Sequence, residues 1–295
     1  MIEMLIEQRR RDLGGGLQVG RVLPFAKRRM VGPFIFFDHM GPMDLAAGID
    51  RGLDVRPHPH IGLSTVTYLF SGEVMHRDSL GYEQAIHPKE VNWMTAGSGI
   101  THSERFEKAR ASGDHVHGIQ AWVALPTADE ETAPSFSNHA GDDLPAWQDA
   151  GVAGQLIAGS AYGLTAGVRT HSPLFYAHLQ MERGATAEIP VDFRERALYV
   201  ADGAVEVGGQ PVTAGGMAVL SPKASSIRAV APATVMVLGG EPLGERFLFW
   251  NFVSSSKDRL RQAAEDWQAG RMKLPDADDQ ECIPLPSTDA LNHFR

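Results

Sequence analysis

The sequence predicts an all-β protein made of two β-barrels of one plan, and three observations carry that expectation. Alternating or β-branched stretches recur between glycine turns: "STVTYLFSGEVMHRDS", "GIQAWVALP", "ALYVADGAVEVGG", "GMAVLSP" and "ATVMVLGGEP". Strand signals at such short spacing describe a sandwich or barrel. The 31 glycines and 18 prolines are scattered along the chain, which suits short strands and turns better than long helices. The third observation is an internal repeat. "HPHIGLSTVTYLFSGEVMH" (His58 to His76) lies without a gap over "IPVDFRERALYVADGAVEV" (Ile189 to Val207), matching Pro59 to Pro190, Tyr68 to Tyr199 and Gly72 to Gly203. At a slightly different offset, "VNWMTAGSGITHSE" (Val91 to Glu104) lies over "MAVLSPKASSIRAV" (Met217 to Val230). A chain of 295 residues is long enough for two domains with a core each.

From the N-terminus onward, the start "MIEMLIEQRRRD" lacks the basic, apolar and small-residue layout of a signal peptide. The short basic runs "QRRRDLGGG" and "AKRR" read as solvated loop faces, because the net charge is −9 and a phosphate-binding surface is not the default expectation. No apolar run approaches the ~18 residues of a membrane span. Between Pro126 and Trp147, "PTADEETAPSFSNHAGDDLPAW" is acidic and proline-bearing and reads as a linker. One helix is convincing, in "SSSKDRLRQAAEDWQAGRM". Ser256 caps it, Asp258 sits in its first turn, Leu260, Ala263, Ala264 and Trp267 share a face, and Gly270 stops it. The lone Cys282 excludes an internal disulfide or a cysteine metal cage and fits a reducing compartment. These readings give a cytoplasmic protein with an N-terminal domain at 1–132 and a C-terminal domain at 133–295. The linker opens the second domain and the helix closes it.

The chemistry concentrates in "RPHPHIGLSTVTY" (Arg56 to Tyr68). Residues two apart on an extended segment point to the same side, so His58 and His60 converge. "WMTAGSGITHSERF" repeats the spacing with His102 and Glu104. Two such pairs on facing strands supply three imidazoles and a carboxylate, which leaves a divalent ion near +1. On an octahedral ion, four protein ligands leave two open positions. This resembles the two-histidine-one-carboxylate arrangement of non-heme iron with one histidine added, and the open positions would distinguish it from a closed structural zinc site. In the second copy His58 and His60 are answered by Ile189 and Val191, and His102 and Glu104 by Arg228 and Val230. Only one barrel is then expected to hold metal.

Each element has an ordinary explanation as well. A single His-x-His pair is more often surface or core histidine than ligand. "THSE" (Thr101 to Glu104) also matches a helix-start capping box. His115 and His117 form a rival pair without a nearby carboxylate. His76 can line the barrel, although a solvated hairpin position is the favoured reading, and His39 reads as a satisfied loop histidine. No phosphate loop, dinucleotide fingerprint or nucleophile elbow is present in the sequence.

The blocks "VGPFIFFDHMGP", "HPHIGLSTVTYLFSGEVMHRDSLG", "VNWMTAGSGITHSE" and "HGIQAWVALP", with "EDWQAGRM" near the end, resemble the pirin family of the cupin superfamily, from about Gly32 to Met272. The resemblance implies a bicupin: two jelly-roll barrels packed face to face, with metal in the N-terminal one. By the same resemblance the ligands are His58, His60, His102 and Glu104. Fe(II) is the metal it favours; manganese, nickel, copper and zinc also suit such donors. A general cupin pattern expects a glutamate soon after the first pair; "HIGLST" has only Ser64 or Thr65 there, and Glu104 takes the carboxylate role.

Two functions follow as expectations. The first is an Fe(II)-dependent dioxygenase acting on a quercetin-like flavonol or related enediol together with dioxygen. Its approach would be lined by Phe36, Phe37 and Met94, with Glu104 as ligand and proton acceptor. The second is a metal- or redox-sensing regulator working through a protein partner, without direct contact to nucleic acid or membrane. A purely structural metal is the third reading.

Overall fold

The prolines around the paired histidines are explained by their place in a sheet. In the computed structural model, which describes residues 1–292, Val55–His60 is an outer strand. The antiparallel sheet runs Val55–His60, Ile100–Arg105, Val74–Asp78, Glu83–Ile86. An outer strand has one neighbour, so residues without an N–H are tolerated there. His102 faces His58 while Glu104 faces Val55, so Arg56 and Pro57 share the space opposite Ser103. Pro57 thus falls at a β-bulge, the other position where a sheet accepts proline.

A second sheet of the same unit places Ser135–His139, Val91–Thr95, Leu63–Ser71 and Asp114–Ala124 side by side in that order. This compact unit comprises Asp12–Val19, Met40–Asn138 and, among the described residues, 243–292. The other comprises Met1–Arg11, Gly20–His39 and His139–Pro242. Its smaller sheet runs Thr186–Glu188, Ser226–Ala229, Ala204–Val207, Gln210–Thr213. Its larger one runs Ile2–Glu7, Gly216–Leu220, Glu195–Asp202, Ala233–Gly240, Leu174–Met181, Val152–Ala161, Ala146–Asp149. The repeated segments therefore take equivalent positions in both sheets of their own units. The change of offset between the two repeat blocks also has a structural cause. Residues 79–82 and 87–90 connect strands in the first copy, where the shorter 208–209 and 214–215 do so in the second.

The units interleave along the chain, where the sequence expects one cut between 132 and 133. Ile2–Glu7 pairs with Gly216–Leu220, covering an edge that would otherwise present unpaired backbone groups. The C-terminal helix instead packs on Ile61 and Phe252. That helix, Lys257–Gln268, is capped by Ser256, whose side chain accepts from the Arg259 N–H, and it buries Leu260, Ala263, Ala264 and Trp267.

The acidic segment after Pro126 is more structured than a linker. It contains the strands Ser135–His139 and Ala146–Asp149. It also contains the buried Glu130, which accepts from the Ser254 hydroxyl at 2.9 Å and pairs with Arg246 at 3.0 Å. Sequence composition did not show this, because the burial of Glu130 depends on a cation 116 positions later in the numbering.

The two barrels differ inside. Leu156, Phe175, Leu179, Ile189, Leu198, Val200, Val205, Val235 and Val237 form an apolar core in one unit. Each such side chain contributes roughly 1.5–3 kcal/mol by leaving water. In the other unit His58, His60, Thr65, Thr67, His76, Asp78, Asn92 and His102 are all buried. Buried polar groups on this scale require partners, and those partners define the candidate site.

Candidate metal centre

His58 and His60 come from the outer strand, and His102 from the strand beside it. The chain turns sharply directly after His60. Gly62 has φ +68°, and a Cβ there would stand 2.0 Å from the Val253 carbonyl oxygen. The turn is fixed by Gly62 N–H donating to the Gly97 carbonyl at 2.9 Å and by Leu125 N–H donating to the Gly62 carbonyl at 3.0 Å.

The three imidazoles converge. One nitrogen from each of His58, His60 and His102 lies within 4.8 Å of the other two. His60 Nε2 and His102 Nε2 are 3.1 Å apart, and the ring centroids are separated by 4.4 to 5.0 Å. Trp122 meets the His60 ring edge-on at 5.0 Å. His58 Nδ1 lies 2.8 Å from the Arg56 carbonyl and His60 Nδ1 lies 3.1 Å from the Asn251 carbonyl. A carbonyl only accepts, so these Nδ1 atoms carry the protons and the Nε2 lone pairs are left free.

Burial holds all three imidazoles neutral. It lowers His58 to about 4. His60 and His102 also fall well below the ordinary value, by burial first and then by neighbouring histidines. Neutral imidazole is the metal-binding form. Nitrogens held ~2.1 Å from one ion stand about 3.0–3.4 Å apart, a range that includes the observed Nε2 separation. The donors therefore fit a divalent transition metal.

Glu104 is not among the converging donors. The residue is half-buried with its carboxylate on the inner side, held by Gln120 and by Thr67, whose Oγ1 is 3.5 Å from Oε1. Burial raises its carboxyl above the usual range, opposed by His76, Gln120 and Thr67. The extra residue of the outer strand, opposite Ser103, separates the His102 pairing from the Glu104 pairing.

Other expected residues fall in different surroundings. Thr101 to Glu104 is extended within Ile100–Arg105 and does not start a helix. His115 is exposed and pairs with Asp44 at 2.6 Å, while His117 stands edge-on to Phe70. His39 is buried and satisfied, with Nδ1 2.8 Å from the Tyr199 hydroxyl. Phe36 lies against Arg21 and Phe37 against Tyr199, within the other unit. Met94 is buried in a small cluster with Ala96 and Ile100.

His76 corrects the sequence reading most clearly. It is buried rather than solvated, stacked on Phe136 at 4.5 Å, with Nε2 3.1 Å from Asp78 Oδ2. Its signal was present in "MHRDS": His-x-Asp has the same two-residue spacing as the other pairs and places both side chains on one strand face.

In the second barrel the equivalent positions hold buried Ile189 and exposed Val191, and Arg228 pairs outward with Glu206. Among the described residues, no other group of three histidine, cysteine, aspartate or glutamate donors converges in this way.

Comparison with known proteins agrees with this architecture. Residues 16–123 match the Pirin family model and residues 176–273 match the Pirin C-terminal cupin domain. A pirin-like protein of Caulobacter vibrioides is 57% identical over 288 residues, covering 97% of this chain and 100% of its own. The crystal structure of a quercetin 2,3-dioxygenase from Acinetobacter baumannii superposes with a TM-score of 0.88 at 34% identity, over 96% of this chain and 95% of its own. A bacterial pirin of Escherichia coli, solved in complex with nickel(II), shares the fold at 20% identity, with a TM-score of 0.64 over 82% of this chain and 100% of its own. The chain is a two-cupin protein, and it belongs to the pirin family.

Proposed function

We propose that this protein is a metal-dependent dioxygenase of flavonol-like or related enediol substrates, with its metal held in the histidine-bearing barrel. The observation that carries the reading is the convergence of three buried, neutral imidazoles. It is supported by the likeness to the quercetin 2,3-dioxygenase of Acinetobacter baumannii. His58, His60 and His102 would hold the ion; Glu104, which its spacing offers as a fourth donor, would stand beside them as the proton acceptor. Fe(II) is the metal proposed; a bacterial pirin of Escherichia coli was solved in complex with nickel(II), and nickel, manganese, copper and zinc also suit such donors. When bound, such an ion supplies Lewis acidity and open positions for oxygen-donor ligands.

The chain's own residues supply the rest. A carboxyl raised by burial, as at Glu104, is suited to accept a proton from an acidic substrate hydroxyl. Gln120 and Thr67 orient that carboxyl. Trp122, edge-on to His60, presents an aromatic wall beside the imidazoles and limits water there.

The test is anaerobic loading with Fe(II), followed by measurement of quercetin and oxygen consumption. The reading expects both to be consumed together, and neither by His58→Ala. Stoichiometric iron with no turnover across a broad flavonol and hydroxyketone panel would overturn it and favour a regulator acting through a protein partner.

A further inference from the structure

We propose that Asp78 and His76 form a positioning relay that sets the tautomer of His102, so that all three imidazoles present an unprotonated Nε2 to the metal. This inference rests on the metal-centre reading above. His58 and His60 have their tautomers set by backbone carbonyls. His102 has no carbonyl partner among the described residues. Its Nε2 is 3.1 Å from His60 Nε2, and its Nδ1 is 3.4 Å from His76 Nδ1. Two tautomers therefore compete. With its proton on Nε2, His102 would donate to His60 and block two of the three lone pairs. With its proton on Nδ1, it donates to His76 and leaves Nε2 free.

The second arrangement requires His76 Nδ1 to be unprotonated, and the structure provides for it. His76 Nε2 lies 3.1 Å from Asp78 Oδ2, and a carboxylate only accepts. The proton of His76 is thereby drawn to Nε2. Asp78 cannot turn away, because Oδ1 accepts from the Leu80 N–H at 2.9 Å and the Tyr82 N–H at 3.1 Å. Phe136 stacks on the His76 ring, with 16° between the planes. The strands are paired so that Asp78 faces His102 and His76 faces Glu104. His76 is 3% exposed and Asp78 1%, so water does not compete for these bonds. A metal-bound histidine usually donates its other ring N–H to an outer partner that fixes its orientation; for His102 that partner is a second histidine.

Asp78→Asn tests the relay, because the amide oxygen is retained by the Leu80 and Tyr82 N–H groups and the NH2 must face His76. The donor pattern is then reversed through both rings. Nitrogen-15 NMR should find the His76 proton on Nε2 in the wild type and on Nδ1 in Asp78→Asn. Zinc affinity, measured by chelator competition, should fall about 10–100-fold in the variant. His76→Phe keeps the ring stacked on Phe136 but removes the acceptor, and it should lose affinity to a similar degree; it also serves if Asp78→Asn fails to fold. Zinc affinity within about twofold of wild type in both variants would overturn the relay, as would a wild-type His76 with its proton on Nδ1 or on both nitrogens. Wild-type protein that takes up no zinc would sink the metal reading instead. In that case the position of the His76 proton, and its reversal in Asp78→Asn, still decide the relay in metal-free protein.

Discussion

His60 Nε2 stands 3.1 Å from His102 Nε2 although the two residues are 42 positions apart in the chain. Two neutral nitrogens at this distance, each on a buried ring, share either a proton or a cation. His102→Ala and His60→Ala are accordingly expected to weaken zinc or Fe(II) binding by more than about 100-fold, beyond the range of outer-shell changes. Retention of a near-normal far-UV spectrum in these variants, with loss of bound metal by elemental analysis, is the expected result.

Glu104 should behave differently from the histidines, because Gln120 and Thr67 hold it outside the converging set. Glu104→Gln is expected to keep most of its metal while turnover falls by roughly 10²–10⁴-fold, the range typical of a lost general base. Parallel metal analysis and oxygen uptake will separate the two effects.

The metal-free protein should lose stability as pH falls. His58 has a native value of about 4, below the ordinary histidine value, so the unfolded chain takes up the proton first. Its contribution is complete above about pH 6.5 and is lost progressively as pH falls, the loss reaching roughly 3 kcal/mol by about pH 4. His60 and His102 act in the same direction. Urea unfolding between pH 7.5 and 4.5 should show this slope, and His58→Gln should reduce it.

Much of this was legible in the sequence, and the remainder has physical reasons for escaping it. The helix was readable residue by residue, because capping by Ser256 and the spacing of Leu260, Ala263, Ala264 and Trp267 are local properties. The three histidines were readable because a strand repeats every two residues. Glu104 kept that spacing, but the bulge at Arg56 and Pro57 depends on the partner strand and is invisible in either segment alone. Of the two placements open to His76, the favoured solvated one failed because the ring stacks on Phe136, from a segment that reads as a linker. Glu130 escaped for the same reason: its partner, Arg246, lies far along the chain.

That pairing gives a stability prediction. Glu130 and Arg246 are buried together, and Ser255 N–H also donates to Glu130. Removing one partner leaves an uncompensated buried charge, so Glu130→Ala should cost about 3–5 kcal/mol. Denaturant titration measures it directly, and a change below about 1 kcal/mol would mean that the pair is solvated.

Gly62→Ala should disturb the centre from outside it. The new methyl would press on the Val253 carbonyl, while the left-handed backbone adds its own penalty. A stability loss with weakened zinc binding is expected, read by thermal unfolding with and without the ion.

Anomalous diffraction at the absorption edge of a loaded metal is the most direct test of the central claim. The account predicts one strong peak per chain, within bonding distance of Nε2 of His58, His60 and His102. A stoichiometrically loaded crystal with its peak in the barrel of Ile189 and Arg228, or away from all three imidazoles, would contradict it.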